Sequence, residues 1–324
     1  MMKKKRKNLI TGALPLVLLY CSLLCSCVAE DLSDCRRQKL RVTLNLETET
    51  QGTPARAGET HAVTLYAYGE NGQCQLVQDF QVGDLNSTTT LEVDLAPGMY
   101  DFVAWVNHSG ESFELPHYEQ FPQVRPTKDV SVLYLKIPAS SVIDHELPRL
   151  LHGSVSGKRL QDSDEEVSIP LVQNTNYIHF TVEGLERTTD VYEFKVRDFN
   201  GAYTFDNEFT ACAPFSYVST AWFAGGGKTL ESDMTVLRLE KGRSPEFLLR
   251  DRDTGKTLYP ASDTHETNLV KLIERAYESQ GKTIDFSRQH VFDIRMKFNG
   301  GVDMDVSITI NGWEITEDDT GLRP

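Results

Sequence analysis

Cysteine, tryptophan and histidine are all scarce, with 6, 3 and 8 copies among 324 residues. Three of the cysteines (Cys21, Cys25, Cys27) crowd into the N-terminus, leaving Cys35, Cys74 and Cys212 for the rest of the chain. None of them forms a CxxC pair or a Cys/His cluster, so the residue types that build a zinc site are not assembled. Three thiols cannot all pair within one chain; Cys35 with Cys74 could form a single disulfide in an oxidising compartment. Positive charge is short as well: 33 Lys and Arg face 47 Asp and Glu, for a net charge of −14. Such a body repels nucleic acid and anionic lipid surfaces, which argues against binding to either through charge.

Catalytic patterns are also missing. His145-Glu146 and His265-Glu266 each lack a second histidine four residues after the first, so neither is HExxH. Gly227-Lys228-Thr229 ends like a phosphate-binding loop, but Trp222 stands where the first glycine is needed. Gly153-Ser154-Val155-Ser156-Gly157 misses the nucleophile elbow, with Val155 at the serine position. The acidic runs Asp162 to Glu166 and Glu317-Asp318-Asp319 do not follow calcium-loop spacing and read as solvated surface. Trp105, Trp222 and Trp313 could stack on sugars, but Trp105 and Trp313 fall in strand-like patterns that favour core packing. The expectation is a protein that is not an enzyme, with no catalytic residues, no cofactor, no metal and no small-molecule substrate.

What is present begins at the N-terminus. Lys3-Lys4-Lys5-Arg6-Lys7 is followed by an apolar stretch from Leu9 to Leu24, interrupted by Gly12 and Pro15. A membrane-spanning helix needs about 20 strongly apolar residues, more than this run supplies, so it reads as a cleaved export signal. Leu24-Cys25-Ser26-Cys27 resembles a lipobox, with the small Ser26 just before Cys27 and Leu24 three before it. Cys25 would require a cut after the bulkier Leu24. Cys27 is therefore the expected lipidation site and first mature residue. Five basic and no acidic residues precede it, so cleavage moves the net charge from −14 to −19. Attachment to a membrane would then come from acyl chains, each buried CH₂ contributing about 0.8 kcal/mol. The acidic pair Glu30-Asp31 resembles the surface-export signal of Bacteroidales lipoproteins.

Beyond the signal, the dominant pattern is alternation, which puts every second side chain on one face of a strand. Leu40, Val42, Leu44 and Leu46 alternate with polar residues, as do Val63, Leu65 and Ala67, and Leu91, Val93 and Leu95. After the Pro97-Gly98 turn, Tyr100 to Val106 is more continuously apolar. His108 to Pro126 reads as a long loop, and Val130 to Ile137 as a closing strand. The pattern weakens from Pro138 to Glu166, which places a domain junction near residue 150. Strands resume at Val167, Ile178, Val191, Met234, Glu246 and His290. Val302 to Ile310 alternates cleanly, and Trp313 and Ile315 extend the pattern past Asn311-Gly312. Leu269, Leu272, Ile273, Ala276 and Tyr277 follow helical spacing, with Thr267 or Asp263 as a possible start cap and Gly281 as the end cap. The fold expected is all-β: two tandem antiparallel β-sandwiches with one short amphipathic helix in the second. The divisions are a signal peptide at 1–26, a lipidated linker at 27–38, and domains at 39–150 and 151–324.

Four segments carry a family resemblance. They are Glu30 to Cys35 with the strand Leu40 to Leu46; Ala96-Pro97-Gly98-Met99-Tyr100 leading to Ala104-Trp105-Val106-Asn107; Leu151-His152-Gly153 with Ile169 to Ile178; and Val306 to Ile315. In order and spacing they resemble the FimB-like fimbrial anchor subunits of Bacteroidales over essentially the whole mature chain. The resemblance implies transthyretin-like sandwiches, an outer-membrane lipid anchor exposed at the cell surface, fimbrial structural subunits as partners, and no enzymatic activity. Only Cys27 carries over as a functional residue. Attachment is expected through β-strand addition. The run Val302 to Ile315 is one segment that could be donated, or it could complete its own sandwich. The alternative function is a surface glycan-binding lipoprotein.

Overall fold

In the computed structural model the described residues are 38–46, 60–83, 89–108, 110–115, 120–130, 132–161, 166–185, 191–223, 227–261, 265–299 and 305–315. The strands in the first half are β1 (Gln38–Leu46), β2 (His61–Gly69), β3 (Cys74–Val82), β4 (Thr89–Leu95) and β5 (Gly98–Val106). Three short ones follow: β6 (Phe113–Glu114), β7 (Leu133–Leu135) and β8 (Val142–Ile143). Then come β9 (Leu151–Leu160) and β10 (Glu166–Gln173). The second half holds β11 (Thr175–Glu183), β12 (Tyr192–Asp198), β13 (Ala202–Tyr203), β14 (Phe215–Phe223), β15 (Leu230–Leu237), β16 (Glu246–Asp251) and β17 (Thr257–Tyr259). It ends with the helix α1 (Leu269–Glu278) and strands β18 (Val291–Asn299), β19 (Asp305–Ile310) and β20 (Trp313–Glu314).

The first seven-stranded sheet runs β3-β2-β5-β9-β10-β1-β4. It folds into two layers at β10, which pairs in parallel with β1 up to Leu171 and antiparallel with β9 at Val172 and Gln173. Alternation explains the core. Leu40, Val42 and Leu44, Leu91, Val93 and Leu95, and Val167, Ile169 and Leu171 face inward from one layer; Val63, Leu65 and Ala67 with Phe102, Ala104 and Val106 meet them from the other. The expected boundary at residue 150 does not coincide with the division between the sheets. Residues 151–173 complete the first sheet, and the crossover to the second is Asn174. The weakened alternation after Pro138 marks the segment that precedes β9, not the end of the first core.

The second sheet runs β17-β16-β12-β14-β15-β11-β18-β19-β20, with β8 beside β14. The sheets are mixed where antiparallel ones were expected: β1–β10, β11–β18 and β8–β14 are parallel pairs. Parallel neighbours need long crossovers, and a single sequence shows strands more readily than their partners. The segment read as a closing strand from Val130 to Ile137 narrows to β7. It joins β6 and β13 in a three-stranded sheet. This small sheet contributes Phe113, Leu133, Leu135 and Tyr203 to a cluster that also contains Tyr66, Tyr68, Val103 and Trp105 from the opposite face of β2 and β5. The central strands β2 and β5 are thus buried on both faces, which accounts for the unbroken apolar run to Val106.

The helix forms where its spacing indicated. Its N-cap is Asn268, whose side chain accepts from the amides of Val270 and Lys271, and not Thr267 or Asp263. Ser279 occupies the C-cap, and Gly281 turns the chain two residues later with φ +65°. Asn311 and Gly312, with φ of 51° and 83°, make the tight turn that folds the terminal run back as a β19–β20 hairpin.

Candidate functional site

The first sheet carries a seam. The seven-stranded path would close on itself if β3 and β4 paired, but they are its two ends. The consequence is visible in burial. Leu76, Gln78, Phe80 and Val82 lie opposite Ala67, Leu65, Val63 and His61 of β2, so their side chains face the core. Leu76 and Phe80 nevertheless remain only half-buried at the margin of that core, where no strand among the described residues pairs with the outer side of β3. Across the seam Leu91, Val93 and Leu95 of β4 are fully covered, while Thr90, Glu92 and Asp94 alternate with them.

One end of the β3 edge is occupied. The Cys74 amide donates to Pro126 O at 2.9 Å, Gln73 bridges Thr127, and Arg125 donates to Cys74 O at 3.3 Å and Gln75 Oε1 at 3.0 Å. From Leu76 to Val82 no strand pairs with the outer edge among the described residues. Asp79 is the only charged side chain in β3, and neither Lys nor Pro guards it. Edge strands left in this state accept added strands readily.

The terminal run is placed differently. β19 pairs with β18 from Asp305 to Ile310 and buries Ile308 and Ile310. Trp313 packs edge-on against Tyr277 of α1, with ring centroids 4.2 Å apart, and Lys282 Nζ lies 4.6 Å over the indole. Of the run from Val302 to Ile315, residues 305–310 and 313–314 lie in the protein's own sheet, and 302–304 lie outside the described residues.

The remaining singled-out residues are structural or lie outside the described set. Cys27, Cys35 and the signal peptide lie outside it, as do 162–165, 317–319 and the side chain of Trp222. Cys74 is fully buried, its thiol donates to Leu76 O at 3.1 Å, and burial pushes its pKa up to about 12. Trp105 is buried against His152, with ring centroids 4.5 Å apart. Gly227 and Lys228 sit in the loop before β15, and Gly153 to Gly157 lie within β9. His145 is an exposed side chain beside Asp144. Among the described residues no three His, Cys, Asp or Glu side chains converge as a metal site would require.

The fold defines the class first: an all-β protein of linked, mixed sandwiches, with one edge of β3 unpaired among the described residues. Residues 32–319 match the family model of the fimbrillin-A associated anchor proteins Mfa1 and Mfa2, and the chain belongs to that family. It is similar to the fimbrial anchor protein Mfa2 of Porphyromonas gingivalis, with TM-score 0.63 and 22% identity over 86% of this chain and 99% of that one. It is also similar to a Bacteroides thetaiotaomicron protein described as a candidate polysaccharide binder, with TM-score 0.69 and 20% identity over 87% and 99% of the two chains. A candidate adhesin of Bacteroides ovatus has TM-score 0.62 and 18% identity over 86% and 95%. At these identities the solved structures establish a shared fold. No curated protein matches the chain.

Proposed function

We propose that this chain is an outer-membrane lipoprotein, acylated on Cys27, that holds a fimbria at the cell surface by accepting a strand from a fimbrial subunit. The observation that carries the reading is the match to fimbrial anchor proteins from residue 32 to 319, just downstream of the lipobox-like cysteine. Family membership supports a structural, fimbrial role in place of catalysis. The seam between β3 and β4 supplies the receptive surface. A strand laid against Leu76 to Val82 would satisfy the open backbone groups and complete the cover over Leu76 and Phe80. Donation of β19 is the costlier route, because extracting Ile308 and Ile310 from the core forfeits roughly 1.5–3 kcal/mol each.

Two variants separate the parts. Cys27→Ala should release the protein from the membrane fraction with fimbriae still bound, and the intact mass of the wild-type mature protein should exceed that of the polypeptide by its acyl groups. Leu76→Lys with Phe80→Lys should leave a folded protein on the membrane while fimbriae are shed into the medium. Fimbriae retained by the seam variant would refute strand acceptance there, and a bare thiol at Cys27 would refute the lipid tether.

A further inference from the structure

The same tether determines how pulling force enters the fold. β1 is the strand that follows Cys27, and it lies inside its layer, paired on both flanks. With β10 it runs parallel over Arg41 to Leu46, and with β4 antiparallel over Gln38 to Leu44. Its start, Gln38, lies opposite Leu95 at one pole of the first sheet. Its end, Leu46, lies opposite Leu171, two residues before β10 ends and the chain crosses at Asn174 into the second sheet. The tether and the second sheet are therefore at opposite poles, with β1 spanning the distance between them.

We propose that β1 is a load-bearing clamp: force between the membrane and a fimbria acts along this strand and is resisted as shear by both flanking ladders at once. The proposal rests on the tether reading for the point where the load enters. A fimbrial strand on the outer edge of β3 would hold the body through β2, β5, β9 and β10, while the tether draws on β1 from its Gln38 end, so the pull on β1 is lengthwise. Six registered pairs with β10 and seven with β4 then bear it together. Peeling would break them one after another. Each bond is modest alone, about 0.5–1.5 kcal/mol net, so collective rupture is what makes the geometry strong. Three further features oppose sliding. Leu40, Val42 and Leu44 are anchored in the core. Thr43 Oγ1 donates to Glu166 Oε1 and Asn45 Nδ2 donates to Ser168 Oγ, each at 2.7 Å, tying β1 to β10 on the outer face.

The crossover beyond β10 fixes the second sheet firmly to this clamp. Gln173, Asn174, Thr175 and Asn176 are all buried. Asn174 and Asn207 exchange side-chain amide bonds at 2.5 and 3.1 Å, Gln173 accepts from Arg149 Nε at 2.6 Å, and Asn176 accepts from the Leu239 amide at 2.7 Å. Such a junction is a rigid coupling and not a slack linker.

Single-molecule pulling on the mature chain, residues 28–324, with Cys35 and Cys212 changed to Ser, tests the clamp without any lipid. One handle is fixed at residue 28. The second is placed on exposed Lys241, beyond β15, or on exposed Ala96, just after β4 at the tether pole. The first arrangement loads β1 lengthwise; the second unzips it from β4. Rupture of the first sheet at several-fold higher force from Lys241 than from Ala96 is the result expected. Equal forces in the two arrangements would overturn the clamp. Because no acyl chain is present, that failure is separate from failure of the tether, which intact mass reads.

Discussion

At the residue scale, two buried imidazoles connect packing to pH. His152 is enclosed between Trp105 and Phe205, with Nε2–H donating to Phe205 O at 2.9 Å. Burial pushes its pKa from the usual 6.5 down to about 4, and the nearby Arg238 guanidinium acts in the same direction. His290 is likewise lowered to about 4, chiefly by burial and then by Arg149. Between these values and 6.5 the unfolded chain takes up protons that the folded chain refuses. Stability is therefore full above about pH 6.5 and falls as pH drops towards 4. From pH 7 to pH 5 the expected loss is about 2 kcal/mol per histidine. Urea midpoints at the two pH values check this, and His152→Gln should remove about half of the combined drop. Gly153 makes a second residue-scale case. A Cβ there would lie 2.5 Å from Pro170 O, 2.7 Å from Ile169 Cγ2 and 2.8 Å from Leu171 Cδ2, where β10 crosses from one layer to the other. Gly153→Ala should cost roughly 1–3 kcal/mol, seen as a lowered urea midpoint at unchanged slope. The glycine pair that missed being a nucleophile elbow thus has a packing reason at its first member.

At the element scale, legibility followed the range of the forces involved. The helix was readable because Leu269, Leu272, Ile273 and Ala276 share one face, set by local spacing, and all four are buried. The cap falls on Asn268 and not on Thr267 or Asp263: its side chain accepts from the Val270 and Lys271 amides and donates to Arg243 O at 3.1 Å, a long-range contact that local spacing does not show. Strands β1, β2, β4 and β19 were readable from alternation, but the parallel pairing of β1 with β10 joins residues over 120 positions apart and leaves no local trace. The seam is illegible for the same reason: Leu76 and Phe80 look like ordinary inward residues until the path around the sheet shows β3 at its end, unpaired on the outer side among the described residues. The terminal hairpin yields a direct test. β19 supplies Ile308 and Ile310 to the core and forms a six-pair ladder with β18. Truncation after Asn299 should therefore give a chain with lost near-ultraviolet circular dichroism and poor solubility. A folded truncated chain that merely failed to retain fimbriae would instead assign the strand to a partner.

At the scale of the whole molecule, apolar contact runs continuously from the first sheet into the second. One buried cluster runs from Tyr66, Tyr68 and Trp105 on the outer face of β2 and β5, through Phe113, Leu133 and Tyr203 of the small sheet, to Phe180, Phe247 and Ile310 in the second sheet. Only the inner core of the first sandwich stands apart from it. Ion pairs tie elements of the second half together: Arg243 to Asp198 at 2.9 Å, largely buried, and Arg250 to Glu193 at 2.7 Å, with the arginine exposed. Separating the halves at Asn174 would strip cover from four large side chains on the first sheet, Tyr66, Tyr68, Val103 and Trp105, each now at 3% exposure or less. At about 25 cal/mol per Å² such a face forfeits several kcal/mol and becomes an aggregation surface. The fragment 28–173 should therefore be insoluble or oligomeric, although it holds every strand of the seven-stranded sheet. The intact mature chain should melt in one cooperative transition, with the summed fluorescence of Trp105, Trp222 and Trp313 and far-ultraviolet circular dichroism coincident. Two resolved transitions, or a monomeric and soluble 28–173 fragment, would show that the shared cluster does not couple the halves.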